Sequence, residues 1–307
     1  MISDSKDLEN KIKSLLKKKN AILLAHNYQR PEVQDIADLC GDSLELSIKA
    51  SQTDAEVIVF CGVHFMAETA SILCPEKRVL LPVSDAGCPM ADMIGADELK
   101  KKKNYLSDAV VISYVNTTAQ VKAESDICCT SANVIQIANS VDPRLPIFMT
   151  PDKNLAQYAM KHTDRSITYW EGFCPIHDNL SVDQVKKVRE AYPKALFLAH
   201  PECRPEILDL ADEIKSTSGM IEYAGTSRHT EFIIGTETGI IYPLSRAYPG
   251  KTFIPASPDM ICPDMKKIGL PDILLSLQDM EPEIRVPDKI RVRAKAAVER
   301  MLAIPAR

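Results

Sequence analysis

The sequence predicts an α/β protein built three times over: three α/β/α three-layer domains with parallel sheets, related by a pseudo-threefold axis around a central cluster. Three observations predict it. Short apolar runs ending in a polar or titratable residue begin at Ala21 (AILLAH), Ala109 (AVVISY) and Ala195 (ALFLAH), 88 and 86 residues apart. Cys-Pro dipeptides at Cys88-Pro89, Cys174-Pro175 and Cys262-Pro263 follow at intervals of 86 and 88. A third marker runs from an acidic residue through an apolar one to short polar residues: Asp38 to Ser43, Asp126 to Ser131 and Glu213 to Ser218. A period close to a third of the 307-residue chain is the signature of a repeat architecture. Cys74-Pro75 falls outside this register, so the spacing carries the signal and the dipeptide alone does not.

Each element can be justified in order. The charged N-terminal stretch places Leu8, Ile12, Leu15 and Leu16 on one face of a helix. In the first repeat AILLAH (21–26) is followed by VIVF (57–60) and VLLPV (79–83), with Leu44 and Ile48 at helical spacing between them. The second repeat has AVVISY (109–114), PIFMT (146–150) and SITYW (166–170), with Val134, Ile135 and Ala138 at helical spacing. The third has ALFLAH (195–200), EFIIGT (231–236) and FIPA (253–256). Strand–helix alternation implies parallel sheets covered on both faces, with room for about four strands per unit. Charge, Asn or Pro interrupts the pattern at 100–104 and 191–194. The expected domains are therefore 1–104, 105–192 and 193–279, with a C-terminal helical segment, 280–307, packed on the first.

Bulk composition narrows the function. With 45% apolar and 26% charged residues the chain can bury a sizeable core. The net charge is −5, and the basic runs are confined to Lys17–Lys19 and Lys100–Lys103 at helix ends, so nucleic-acid binding is not expected. No apolar run approaches the ~20 residues of a membrane span. The N-terminus lacks the apolar stretch and cleavage site of a signal peptide, so a cytoplasmic location is expected. Nine cysteines without small-scaffold spacing point to metal ligands or core residues rather than disulfides.

Ligands of parallel sheets gather outside the carboxyl ends of the strands. His26, Tyr114 and His200 end the first strands, Ser43, Ser131 and Ser218 follow the second strands, and Cys88, Cys174 and Cys262 follow the last. Packed about a common axis, these faces converge on one cavity. Three thiolates there can hold three corners of a cubane [4Fe-4S] cluster, leaving one iron open as a Lewis acid. Zinc suits the same thiolates, although the Cys-x2-Cys pairs of structural zinc sites are absent. Cys40, Cys61, Cys74, Cys128, Cys129 and Cys203 read as small core residues. Tyr28 and Glu202, just beyond two strand ends, are a candidate acid and base. The Ser and Thr groups can cap helices, and the free N–H groups of those helix ends suit carboxylate or phosphate. Gly225, Gly235 and Gly239 form no dinucleotide fingerprint, so no bound nicotinamide is expected.

Several motifs taken together resemble one family. HNYQRPEVQDIADLCGDS (26–43), GCPM (87–90), YVNTTA (114–119), CTSAN (129–133), FCPIH (173–177), HPEC (200–203) and IGTE (234–237) resemble the quinolinate synthases, the A protein of bacterial and archaeal NAD biosynthesis, nearly end to end. The resemblance implies a transferase-class enzyme that condenses iminoaspartate with dihydroxyacetone phosphate to quinolinate, losing phosphate and two waters. It implies a [4Fe-4S] cluster ligated by Cys88, Cys174 and Cys262, whose open iron binds substrate. It places His26, Tyr28, Tyr114 and Asn116 in the active site, with Tyr28 in proton transfer and Glu202 as an acid/base near the open iron. Ser43, Ser131, Ser216, Thr217 and His200 are implied to hold carboxylates and phosphate. His177 follows the second cysteine, and Phe65 and Met265 shape the cavity. The mapping favours Ser216 and Thr217 where the repeat register picks Ser218. Some relatives carry Cys-x2-Cys-x2-Cys around the last ligand; here Pro263, Asp264 and Met265 follow Cys262, so no redox disulfide is expected there. An L-aspartate oxidase or aspartate dehydrogenase is the implied source of iminoaspartate.

Two other classes share these features. An iron–sulfur hydro-lyase acting on a hydroxy acid also uses an open iron, and product analysis separates it. A zinc-stabilised binding scaffold would be colourless, whereas an iron–sulfur protein is brown.

Overall fold

The computed structural model describes residues 2–106 and 108–304. Its strands are short and apolar because they lie between helical layers. β1 (Ala21–His26), β2 (Leu39–Gly41), β3 (Val57–Cys61) and β4 (Arg78–Leu80) form the first sheet, in the order β2-β1-β3-β4. β5 (Val110–Tyr114), β6 (Ile127–Cys129), β7 (Ile147–Thr150) and β8 (Ile167–Tyr169) form the second, ordered β6-β5-β7-β8. β9 (Leu196–Ala199), β10 (Glu213–Ile214), β11 (Glu231–Gly235) and β12 (Thr252–Pro255) form the third, ordered β10-β9-β11-β12. All pairings within the sheets are parallel. One strand order repeated three times is the predicted α/β architecture, with no closed barrel among the described residues. Central strands such as β3, buried along its whole length, carry near-continuous apolar residues because both faces are covered.

One hydrogen bond shows the repeat in atomic detail and corrects its register. The Leu23 amide donates to Asp38 Oδ2 at 2.8 Å, and the Val111 amide to Asp126 Oδ2 at 2.8 Å. In the third unit the Phe197 amide donates to Asp212 Oδ2 at 2.7 Å. The acid equivalent to Asp38 and Asp126 is therefore Asp212, one residue before the expected Glu213. Strand pairing agrees: Cys40, Cys128 and Ile214 face Ala25, Ser113 and Ala199. The residue equivalent to Ser43 and Ser131 is then Thr217 and not Ser218. Two adjacent acids, Asp212 and Glu213, make the marker ambiguous in the sequence; only the backbone partner tells them apart.

The termini bind the units together. The N-terminal helix Ile2–Lys18 lies against helix Leu270–Asp279, burying Ile12 and Leu16 and partly burying Leu8 and Leu15. The C-terminal helix Asp288–Leu302 lies on helix Ala119–Ala123 and β6 of the second unit as well as on helix His64–Leu73 of the first. It thus bridges a seam, where the sequence suggests packing on the first unit. Its buried face, Ala294, Ala297, Val298 and Met301, is narrow and small-residue-rich, which lets two neighbours approach it. Among the described residues no helix is long and apolar enough to cross a membrane.

Candidate active site

Outside the carboxyl ends of the strands lies one cavity of about 190 Å³, lined from all three units. His26, Tyr28, Ser43 and Phe65 reach it from the first unit, Tyr114, Asn116, Ser131 and His177 from the second. His200, Glu202, Thr217 and Met265 reach it from the third. Cys88, Cys174 and Cys262 share it. The structure thus brings together the singled-out residues with two exceptions, Ser216 and Ser218. Ser216 is the N-cap of helix Thr217–Thr226; its hydroxyl accepts from the Gly219 amide and donates to Asp42 Oδ2 at 3.3 Å, facing a neighbouring groove. Ser218 donates to Glu45 on that same outer side. The cap of helix Ser43–Gln52 is Asp42, not Ser43, so the Ser43 hydroxyl is spared for the cavity.

The cysteines sit in loops after β4, β8 and β12. A following proline disfavours helical backbone at the cysteine; Cys174 is extended, at the N-cap of the short helix Pro175–Asp178 that Pro175 opens. All nine cysteines are free thiols; Cys61, Cys74, Cys128, Cys129 and Cys203 are buried and Cys40 is half-buried. Burial pushes the Cys88 thiol up to about 12, and Cys174 and Cys262 also rise, chiefly through burial. Cys88 feels the charges of Glu202 and Cys262, and Cys174 those of Glu202 and Cys88. Thiols placed so close together resist ionising unless a cation shares the site.

Glu202 is the hub of the polar wall. Tyr114 OH donates to its Oε1 at 2.5 Å, and His177 Nδ1 lies 2.6 Å from its Oε2. His177 Nε2 meets Thr236 Oγ1 at 2.7 Å, and Thr236 meets the Tyr28 hydroxyl at 2.5 Å. An unbroken chain of hydrogen bonds therefore joins Tyr28, Thr236, His177, Glu202 and Tyr114. His177 and His200 stack with ring centroids 4.6 Å apart. Among the described residues, Cys174, His177 and Glu202 place a sulfur, a nitrogen and an oxygen within 4.8 Å of one another, a set able to hold a metal ion.

The two strand-end histidines are held alike. The Tyr28 amide donates to His26 Nδ1 at 3.2 Å, and the Glu202 amide to His200 Nδ1 at 3.4 Å. Each neutral ring must then carry its proton on Nε2. Burial drives both histidines down to about 3, against the pull of Glu202. Burial would raise Glu202, but His177, His200 and the Tyr114 hydroxyl together hold it at about 2. Burial, with Glu202 adding to it, lifts the Tyr28 and Tyr114 phenols well above their usual value. At neutral pH the cavity presents protonated phenols, neutral His26 and His200, and a charged carboxylate.

These shifts predict acid lability of the metal-free protein. His26 and His200 titrate near 6.5 when unfolded and near 3 when folded. The unfolded chain then binds more protons in that window, so stability is full above 6.5 and falls as pH drops toward 3. Glu202, lowered from 4.5 to about 2, adds a loss of the same sign below 4.5. Thermal melts between pH 7 and 4 should show this slope, and His26→Asn should flatten it. A melt curve for His26→Asn parallel to that of the parent protein would contradict the buried neutral ring.

The family model described as quinolinate synthetase A protein matches residues 10–303. The chain belongs to that family. Curated relatives agree over nearly full lengths. Quinolinate synthase of Geobacter sp. strain M21 is 54% identical over 298 residues, 97% of this chain and 98% of the relative. That of Methanoregula boonei is 54% identical over 303 residues, 99% and 100% of the two chains. That of Desulforudis audaxviator is 52% identical over 300 residues, 98% and 99%.

Within this quinolinate synthetase A framework, sequence reasoning missed four residues at the cavity or its cysteine loops. Thr236 closes the hydrogen-bond chain, and Glu237 beside it takes the Cys262 amide. Both lie in the IGTE motif, so the signal was present without a role. Lys266 pairs with Glu237 at 3.0 Å and donates to the Tyr28 carbonyl. Asp152 lies beside Cys174 and bears no motif at all. The contacts of Thr236 with Tyr28 and His177, and of Lys266 with Tyr28, cross between units, and local pattern cannot reveal such contacts.

Proposed function

We propose that this chain is a quinolinate synthase of NAD biosynthesis, condensing iminoaspartate with dihydroxyacetone phosphate to quinolinate, phosphate and two waters, with Cys88, Cys174 and Cys262 holding a [4Fe-4S] cluster. The observation that carries the reading is one free cysteine from each repeat opening into one cavity with the Tyr28–Glu202 chain. The donor set fits such a group. Three half-buried cysteine thiols, one from each unit, are soft ligands once ionised, and three of them would leave a fourth position for substrate. When bound, the cluster would supply a Lewis-acidic iron that polarises substrate oxygen.

The chain's own residues do the rest. Tyr28, protonated at neutral pH, donates a proton to a leaving oxygen, and Glu202, ionised, accepts one from carbon or nitrogen. With Glu202 ionised, His177 Nδ1–H donates to it and Thr236 O–H donates to His177 Nε2, which leaves Thr236 Oγ1 to accept from the Tyr28 hydroxyl and holds both ends of the chain in place. Ser43 and Thr217, at the first turns of ten-residue helices, offer hydroxyls and free amides to carboxylate or phosphate. His26 and His200 present Nε2–H donors without adding charge. Because the net charge is −5, anion attraction must be local, from these helix ends and the metal.

The test is chemical. Anaerobically purified protein should be brown, carry about four irons and matching acid-labile sulfide per chain, the content of one cubane, and form quinolinate from the two substrates. A colourless, zinc-loaded protein without product would overturn the proposal, and would favour a single ion at Cys174, His177 and Glu202.

A further inference from the structure

Each cysteine loop meets a carboxylate at or next to the cysteine's own backbone amide. The Cys262 amide donates to Glu237 Oε1 at 3.1 Å, and Glu237 is fully buried. Its other oxygen accepts from the Gly239 amide at 2.7 Å, and Lys266 lies 3.0 Å from Oε1. In the second unit burial and the charge of Glu202 raise the Asp152 carboxyl well above its usual range, and the nearby Cys174 amide only partly offsets this. Asp152 Oδ1 accepts from the Leu155 amide at 2.8 Å, while its buried Oδ2 has no hydrogen-bond partner among the described residues. Its backbone is bridged to Gly172, two residues before the cysteine.

The two acids are repeat equivalents. Thr150 and Gly235 occupy matching places opposite Ser113 and Ala199, and Asp152 and Glu237 each stand two residues further on. The matching residue of the first unit is Val63, which has no carboxylate. There the acid comes from the third unit: the Gly87 amide, next to Cys88, donates to Asp264 Oδ1 at 3.3 Å. Lys267 pairs with that same oxygen at 2.9 Å.

We propose that Glu237, with Asp152 in the equivalent place at the Cys174 loop and Asp264 from the third unit at the Cys88 loop, is a positioning residue that fixes the cysteine loops before metal arrives. A buried carboxylate is costly unless it is paired and hydrogen-bonded. Glu237 and Asp152 nevertheless lie where the protein could have used apolar side chains, as Val63 does. Hydrogen bonds from backbone amides to a side-chain oxygen are directional. They hold the cysteine Cα while leaving its sulfur free, which an N–H bond to sulfur would not. Asp264 also links the Cys88 loop to the Cys262 loop, so the two are set relative to each other.

The inference rests on the cluster reading, and the experiment separates the two. Glu237→Met removes the acceptor at similar volume; Glu237→Gln keeps a carbonyl for the Cys262 amide while losing the charge that pairs with Lys266. Two readouts are taken: iron release to a ferrous chelator after anaerobic reconstitution, and alkylation of Cys262 by iodoacetamide in metal-free protein, mapped by mass spectrometry. Loss of an outer partner of a metal ligand typically weakens binding by roughly 10–100-fold. Glu237→Met should release iron faster by about that factor and alkylate faster at Cys262, with Glu237→Gln close to the parent on both. Parent-like behaviour of Glu237→Met overturns the proposal. Equal defects in both variants also overturn it, because the ion pair and not the amide bond would then matter. Should Glu237→Met fail to fold, Asp264→Ala against Asp264→Asn makes the same comparison at Cys88, where the acid is partly exposed. Should the parent bind no iron, the cluster reading fails, and alkylation of the metal-free protein still decides the positioning role.

Discussion

Replacing Cys88, Cys174 or Cys262 singly by Ala should strip the anaerobically reconstituted protein of its iron and end quinolinate formation. The same change at the other six cysteines should leave iron loaded. The three are set apart by the intervals of 86 and 88 residues and by their convergence on one cavity from three sheets. Two remaining thiolates leave two irons of a cubane without protein ligands, so the loss is close to complete rather than graded. Neither His177 nor Glu202 is expected to substitute, because each is held by partners on both sides. Cys61, Cys128 and Cys203 are buried, and truncating them leaves cavities that lower stability without touching the proposed cluster ligands. Iron per folded chain, measured for all nine variants, decides the matter. Full loading in any of the three named variants would remove that cysteine from the ligand set.

Tyr28→Phe and Glu202→Gln should keep their iron and still bind substrate, yet turn over about 10²–10⁴-fold more slowly, the usual contribution of a general acid or base. That factor corresponds to roughly 2.7–5.5 kcal/mol of transition-state stabilisation. Their places in the hydrogen-bond chain explain the separation of effects. Tyr28 contacts Thr236, and Glu202 contacts Tyr114 and His177, so neither is occupied in holding a cysteine. kcat should therefore fall far more than KM rises. Glu202→Gln should be the more severe structurally, since its amide would oppose the His177 donor. Near-normal turnover with a loaded site would reduce either residue to a hydrogen-bonding wall group. Thr236→Val offers an internal control: it cuts the chain between the two ends without removing either.

The repeat, the parallel α/β class and the location of the site were legible in the sequence because each rests on a local signal. AILLAH, AVVISY and ALFLAH are central strands, and a strand covered on both faces must be apolar along its length. The strand ends His26, Tyr114 and His200 follow from that, since chemistry in parallel sheets collects there. The spacing of Cys88, Cys174 and Cys262 needed only the period. The family motifs added a reading of the chemistry that periodicity could not supply.

What only the tertiary structure decided was which atom of one unit meets which atom of another. Asp212 and Glu213 are interchangeable in a pattern, yet one alone accepts the Phe197 amide, and that choice turns Thr217 rather than Ser218 toward the cavity. Ser216 is polar and adjacent to Thr217, but its hydroxyl is spent on a helix cap and on Asp42. Thr236, Lys266 and Asp264 acquire their partners across unit boundaries, at separations of up to 238 residues. Hydrogen bonds between distant segments leave no periodicity behind, because the constraint acts on geometry at a meeting point and not on neighbours in the chain. The same holds for the C-terminal helix: its apolar face was visible, but both surfaces it covers were products of assembly. The sequence alone therefore determined the units and the ends of their strands, and the packing of three units on one another determined the site.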